Sequence, residues 1–468
     1  MSDHHNHDAG CSDWYATRRA ALARAVDQIV PIPDEALTEG PAAAAKVFAG
    51  GGVTRRQALA GAGGLALATA LMPKFGGREI FEAAQAQAAG DPAANILVLV
   101  YLDGGNDGLN TLIPWNDPLY HTKRSRIGIP DGDGLLLGGP APDANFHWHP
   151  ALTGLRDLYD AGKVAVLPSV DYTPTDQSHF NSQIYWRTGI VGQSYDRTGW
   201  LGRTIDRIGV TNNPLQAVSV GWGLDPVLLS RSKPVATVFD PADFSMYIPG
   251  VWDPKEGLSP YRGMVSGART RARRSAQGAM RNAISVYDRL GGLRAAPRLP
   301  DDPTPYSNDY LGKGLRNVAR MLGAGLGTRI VTVSHSGFDT HIDQATRHPE
   351  LLSSLGNSLK AFQDDLTAKG LSDRVMTMVW SEFGRRVEDN DSNGTDHGAG
   401  GVMLLVGDHA NAGVRTEFPG LSQLDANDNL RVTTQFRTVY ASILEDWLGV
   451  PADSILPKMG AARLPLFV

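Results

Sequence analysis

The chain has 468 residues, of which 42% are hydrophobic and 20% charged, and a formal net charge of -5. That length is ample for one large domain or two ordinary ones. The mildly acidic balance gives no electrostatic reason to expect nucleic acid or an anionic membrane surface as a partner. The lone cysteine, Cys11, excludes an internal disulfide and any thiol nucleophile or thiolate zinc site in the body of the chain.

Residues 1–53 read as a disordered leader that opens with His4-His5-Asn6-His7. Thr54-Arg55-Arg56-Gln57-Ala58-Leu59 then begins a Gly/Ala-rich, weakly apolar run that extends to Met72. Two small-x-small sites follow, Ala84-Gln85-Ala86 and Ala86-Gln87-Ala88. Arginine pair, apolar run and cleavage site in that order predict a twin-arginine export signal over 54–88. The run is too short and too weak to span a bilayer stably. The expectation is an exported protein of the periplasm, cell envelope or extracellular space, with the twin-arginine export machinery as a partner.

Residues 89–468 are expected to form a single α/β domain. Apolar runs predict buried strands at Ile96–Tyr101, Val164–Leu167, Ala217–Val220, Ile330–Val333, Met376–Trp380 and Val402–Val406. Residues 115–147, rich in Gly, Asp and Pro, read as an irregular insertion. Residues 262–298 carry nine arginines on a predicted helix, read as a solvated face. Leu351, Leu352, Leu355, Leu359, Phe362 and Leu366 recur at helical spacing and are followed by Gly370, a C-cap signal. Phe436, Val439, Tyr440, Ile443, Leu444 and Trp447 repeat the pattern before Gly449. Strands alternating with amphipathic helices predict a mostly parallel central sheet with helices on both faces.

Polar groups collect just beyond these strands, where open α/β sheets build their sites. The first strand runs into Asp103-Gly104-Gly105-Asn106-Asp107, in which either carboxylate is a candidate metal ligand and an ordinary turn is the plain alternative. The second leads to Asp176-Gln177-Ser178-His179, which suits either an anion site or a simple helix cap. The later strands are followed by Gly337-Phe338-Asp339-Thr340-His341 and by Ser381-Glu382-Phe383-Gly384-Arg385. Gly394-Thr395-Asp396-His397-Gly398 precedes the last strand. Carboxylates and imidazoles are the donors divalent metals favour. Arg385 suits an oxyanion clamp, or a structural ion pair with Glu382.

These motifs resemble the DUF1501 family, an uncharacterised family that often carries twin-arginine signals. The matching segments are Leu102–Pro114, His149–Leu152, Ser178–Trp186, Gly337–His341, Ser381–Arg385, Gly394–Gly398 and Phe436–Gly449. That family is similar to the alkaline phosphatase/sulfatase superfamily, so the resemblance implies an alkaline-phosphatase-like fold. It implies that Asp103 or Asp107 is the first metal ligand, that Ser178 lies in the nucleophile loop, and that Asp339, His341 and His397 are ligands. The chain departs from the superfamily pattern in three places. Asp339 and His341 are closer in sequence than its Asp-x-x-x-His pair. Glu382-Phe383 stands where Asp-His is usual, and no C/S-x-P-x-R sulfatase motif is present. Gln435 also stands where the family itself commonly has Asp.

The expected function is an exported metal-dependent hydrolase of phosphate or related anionic esters, small or polymeric. Asp103, Asp107, Asp339, His341, Glu382 and His397 would hold one or two divalent ions, zinc, calcium or magnesium. Ser178 would be the nucleophile, His179 an acid or base, and Arg385 the oxyanion group. The alternative is a catalytically inactive envelope protein that keeps the fold to bind a partner.

Overall fold

The computed structural model describes residues 94–192, 194, 196–245, 270–296, 305–457 and 462–468. The expected leader (residues 1–53) and the expected export signal (54–88) lie outside the described residues.

A nine-stranded sheet organises the described chain. Its strands are β1 (Ile96–Asp103), β2 (Val164–Asp171), β3 (Ala217–Val220), β4 (Ala236–Thr237), β5 (Ile330–Ser336), β6 (Val375–Trp380), β7 (Gly401–Val406), β8 (Gly413–Val414) and β9 (Thr434–Gln435). The order is β8-β2-β7-β6-β1-β5-β3-β4, with β9 also paired to β2. All pairings are parallel except those of β7, which runs antiparallel to β2 and to β6. The expected mostly parallel α/β sheet is therefore present.

Each of the six strands read from the sequence is there. Five extend beyond their apolar runs, and β1, β2 and β5 do so through polar residues, because backbone pairing continues once the neighbouring strands are in register. β1 is buried along its whole length and reaches Asp103, which pairs with Ser336.

Both faces of the sheet are covered, which is why β1 is apolar at successive positions instead of alternating. Ile96, Val98, Val100 and Leu102 pack into one core with Leu155, Leu315, Leu355 and Phe362. Those partners come from the helices α1 (Thr153–Asp160), α2 (Tyr310–Gly323) and α3 (Gln344–Ala368). Leu97, Leu99 and Tyr101 pack into the opposite core with Trp186, Trp200, Val439 and Tyr440. These belong to helices His179–Thr188, Trp200–Ile208 and Phe436–Ser442. The last of these continues as a wider turn over Ile443–Trp447, and Gly449 follows with φ +68°. The arginine-rich region holds a helix over Arg271–Arg289. Residues 115–147 fold back with their neighbours into a small three-stranded sheet of Leu112–Ile113, His147–Trp148 and Leu135–Leu136.

The sheet brings its chemistry to one edge. The parallel strands β1, β2, β5 and β6 all leave the sheet there. β7 enters the sheet at that same edge because it alone is reversed, with Gly401 opposite Val170. Five loops distant in sequence are thereby brought together.

Candidate metal centre

Two glycines allow the loops to touch. Gly104 has φ +127°, and a Cβ there would stand 2.4 Å from the Asp339 backbone nitrogen. A Cβ on Gly394 would stand 2.2 Å from the His341 carbonyl oxygen. Only glycine permits these approaches.

His179, at the start of the helix after β2, meets Asp339 and His397. Each offers a ligand atom, and the three atoms lie within 4.8 Å of one another. His341 stands outside that set of three but against the same carboxylate. Asp339 Oδ1 is 3.1 Å from His341 Nε2 and 3.2 Å from His397 Nε2, and the two imidazole nitrogens are 3.0 Å apart. His179 Nε2 lies 3.6 Å from Asp339 Oδ2. A tetrahedral ion with bonds of roughly 2.0–2.1 Å holds neighbouring donor atoms about 3.3 Å apart, close to the separations among Asp339, His341 and His397 and to that between His179 and Asp339.

The other ring nitrogens are also engaged. His179 Nδ1 is 2.7 Å from Glu382 Oε1, His397 Nδ1 is 2.9 Å from the Gln177 carbonyl, and His341 Nδ1 is 3.2 Å from Asp396 Oδ1. A carbonyl and ionised carboxylates only accept, so each Nδ1 carries the proton and donates it. With the rings neutral, the Nε2 lone pairs would be left for an ion held beside Asp339. An outer acceptor that fixes the tautomer of a ligating histidine is the usual support of a metal site. Phe383 packs against the rings of His179 and His397, with centroids 4.9 and 4.6 Å away.

The electrostatics suit a cation. Burial opposes charge on Asp339, yet His179, His341, His397 and Arg385 hold its carboxyl far below the usual range. Burial likewise opposes charge on His179, but Asp339 and Glu382 raise it to about 9. His341 is also raised, by Asp339 and Asp396 against the opposing effect of burial. Burial lowers His397 to about 4, and the positive charge of Arg385 and His179 adds to that.

The other residues singled out from the sequence are placed as follows. Glu382 is fully buried, accepts from the Gly104 and Gly105 amides, and holds His179 from behind. Asp103 is buried at the end of β1 and accepts from Tyr101 Oη at 3.1 Å and Ser336 Oγ at 3.3 Å. Asp107 is not brought to the cluster's donor atoms by any contact. It forms a buried ion pair with Arg124 at 2.5 Å and caps the short helix Gly108–Thr111. Its charge is balanced there and its oxygens are occupied, which is a structural role.

Arg385 is placed differently from an oxyanion clamp. Its side chain is wholly buried, and it donates to the carbonyls of Gly105 at 2.7 Å, Thr395 at 2.7 Å and Phe338 at 3.2 Å, and to that of Gly104. It also donates to Asp339 Oδ1 at 2.6 Å. These bonds tie three loops together and commit the guanidinium to the protein's own oxygens. Ser178 occupies the N-cap position of the helix that begins at His179, with no capping bond from its hydroxyl.

Sequence reasoning placed His179 as an acid or base and did not group it with the metal-capable residues that it meets here. Its position after β2, at the edge shared with the other motifs, was the available signal. Phe383 stands where the superfamily pattern has an imidazole, and His179 brings an imidazole to the cluster from another loop. Asp396 and Gln177 lie in motifs read from the sequence, but their contacts with His341 and His397 were not foreseen. A backbone acceptor leaves no mark in sequence.

Comparison with known proteins bears out the family resemblance. The family model described as "Protein of unknown function (DUF1501)" matches residues 272–447. No curated protein sequence matches the chain. Among solved structures the chain is similar to Ps i-CgsB in complex with k-i-k-neocarrahexaose, at 12% identity over 73% of this chain and 74% of that one, with a TM-score of 0.33. It is similar to the lipoteichoic acid synthase LtaP from Listeria monocytogenes, at 8% identity over 81% and 75%, with a TM-score of 0.32. It is also similar to the C-terminal periplasmic domain of EcEptC from Escherichia coli in complex with Zn, at 8% identity over 68% and 74%, with a TM-score of 0.32.

Proposed function

We propose that the protein is an exported, metal-dependent hydrolase of phosphate or related anionic esters, with His179, His341, His397 and Asp339 holding one divalent ion. One observation carries this reading. Three imidazoles, each with Nδ1 held by an acceptor, turn their Nε2 atoms toward a single carboxylate. A nitrogen-rich donor set of this kind favours zinc or a similar first-row ion over calcium or magnesium, which take oxygen ligands. Export is supported by the order of arginine pair, apolar run and cleavage site. Among the described residues no helix is long and apolar enough to cross a membrane.

The bound ion would supply Lewis acidity and lower the pKa of a water or hydroxyl nucleophile. The protein's own groups do the rest. Glu382, Asp396 and the Gln177 carbonyl orient the rings. Arg385 keeps the Gly104, Phe338 and Thr395 loops in register and neutralises part of the charge on Asp339. Ser178, next to His179, is the candidate nucleophile supplied by the chain, with water as its alternative. Asp103 and Glu382 surround the ligands at the sheet edge and are not assigned as ligands in this reading.

The test is metal analysis and hydrolysis of aryl phosphates, phosphodiesters and phosphonates by the purified mature protein and by His397→Ala. We expect a bound divalent ion and turnover in the parent, and loss of both in a variant that still melts cooperatively. A folded parent with no bound metal and no metal-dependent turnover would overturn the reading.

One observation favours a second reading, a catalytically inactive binding protein. Arg385, the arginine nearest the cluster, spends its donors on the protein itself. Metal bound without turnover on any ester, together with unchanged partner binding in His397→Ala, would establish that reading.

A further inference from the structure

Beside the histidine cluster lies an open groove of about 660 Å³, lined by residues that include Asp176, Gln177, Tyr185, Val191, Arg386 and Asn427. It adjoins the cluster on two sides. Gln177 lines the groove and its carbonyl holds His397. Arg386 follows Arg385, which is bridged to His397, and its backbone amide donates to the Asp396 carbonyl at 3.0 Å.

Arg386 is held unlike its neighbour. Its guanidinium donates to the Asn427 carbonyl at 3.1 Å, and no carboxylate among the described residues pairs with it. Its own carbonyl accepts from Arg124 at 2.9 Å, which anchors the backbone. The carboxylate of Asp176, which also lines the groove, is occupied locally. It accepts from the Ser178 amide at 2.9 Å and from Asn181 Nδ2 at 2.7 Å. The groove thus has a positioned cation without an ionic partner among the described residues and an anion already supplied with donors. A planar guanidinium with open N–H groups is suited to bind carboxylate, sulfate or phosphate.

We propose that Arg386 is a specificity-determining residue that binds a second anionic group of the substrate, so that the preferred substrate is an extended ester with a negative charge beyond the one at the metal. Tyr185 and Val191 supply an apolar wall for the segment between the two charges. This inference rests on the hydrolase reading for the position of the first anionic group.

The test uses the metal-loaded protein with methanesulfonate and a series of α,ω-alkanedisulfonates of increasing length, and binding is followed calorimetrically in the parent, Arg386→Gln and Arg386→Lys. We expect one chain length to bind at least about tenfold more tightly than methanesulfonate, which corresponds to one well-placed charged contact. Arg386→Gln should remove that enhancement and Arg386→Lys should restore part of it. No enhancement at any length, or the same enhancement in Arg386→Gln, overturns the inference. Metal content of the same samples separates the two claims. A parent without metal counts against the hydrolase reading, whereas a metal-bound parent without Arg386-dependent enhancement counts against the second subsite alone.

Discussion

His179 Nδ1 lies 2.7 Å from Glu382 Oε1, and the Glu382 side chain is completely buried although the two residues are 203 positions apart. Glu382 is fixed from the other side by the amides of Gly104 and Gly105. The carboxylate therefore sets both the tautomer and the angle of the ring that faces Asp339. Glu382→Gln keeps the shape and removes the charge. It should weaken divalent metal binding by roughly 10–100-fold, the usual effect of losing an outer-shell partner. Competition with a chelator would measure it, and unchanged affinity would show that Glu382 does not act on the site through His179.

Metal binding should expel protons. With no ion present His179 titrates at about 9, since Asp339 and Glu382 outweigh burial, so at pH 7 its ring is protonated. A cation needs the Nε2 lone pair and must displace that proton. Affinity should therefore rise with pH up to about 9. Calorimetry in buffers of different ionisation enthalpy would detect the release, and metal binding with no proton release at pH 7 would argue against His179 as a ligand.

Arg385→Ala should unfold the loop edge before it shows any purely catalytic defect. The substitution strands buried carbonyls of Gly104, Gly105 and Thr395 and leaves Asp339 without its guanidinium partner. Breaking a buried, hydrogen-bonded ion pair costs on the order of 3–5 kcal/mol. Chemical denaturation would measure the loss. A variant of unchanged stability with reduced turnover alone would instead mark Arg385 as an oxyanion group.

Stability should fall in mild acid. Burial lowers His348 to about 3 and His149 to about 4, and the nearby Asp107 charge offsets this only in part. In the unfolded chain both titrate near the ordinary value of about 6.5. The unfolded state therefore binds more protons below that pH. The stability these neutral rings allow is complete above about 6.5 and is lost as pH falls toward 4 and then 3. His348→Gln should flatten the pH dependence of the denaturation midpoint between those limits, and an unchanged slope would show that His348 does not govern it.

Gly104→Ala tests the loop contact. The new Cβ meets the Asp339 backbone at 2.4 Å, and the residue must hold φ +127°. The β1 loop and the Gly337–His341 loop must separate. We expect reduced metal affinity and a stability loss on the order of a few kcal/mol. Retention of both would mean that the edge tolerates more movement than its packing indicates.

Much of this architecture is written locally. The runs around Val98, Val166, Val331 and Met378 announce strands because a strand covered on both faces needs apolar side chains at successive positions. The leucine spacing before Gly370 announces a helix for an equally local reason. The presence of Asp, Glu and His beyond those strands, and hence the chemical character of the candidate metal centre, was also legible. Partnership was not. Asp107 and Asp339 look alike in sequence, yet one is neutralised by Arg124 and the other faces three imidazoles. Arg385 and Arg386 are adjacent, yet one is buried among carbonyls and the other lines a groove. Residue type and strand pattern depend on near neighbours along the chain. Charge partners depend on which loops the sheet brings to one edge, and the reversal of β7 is what carries His397 there.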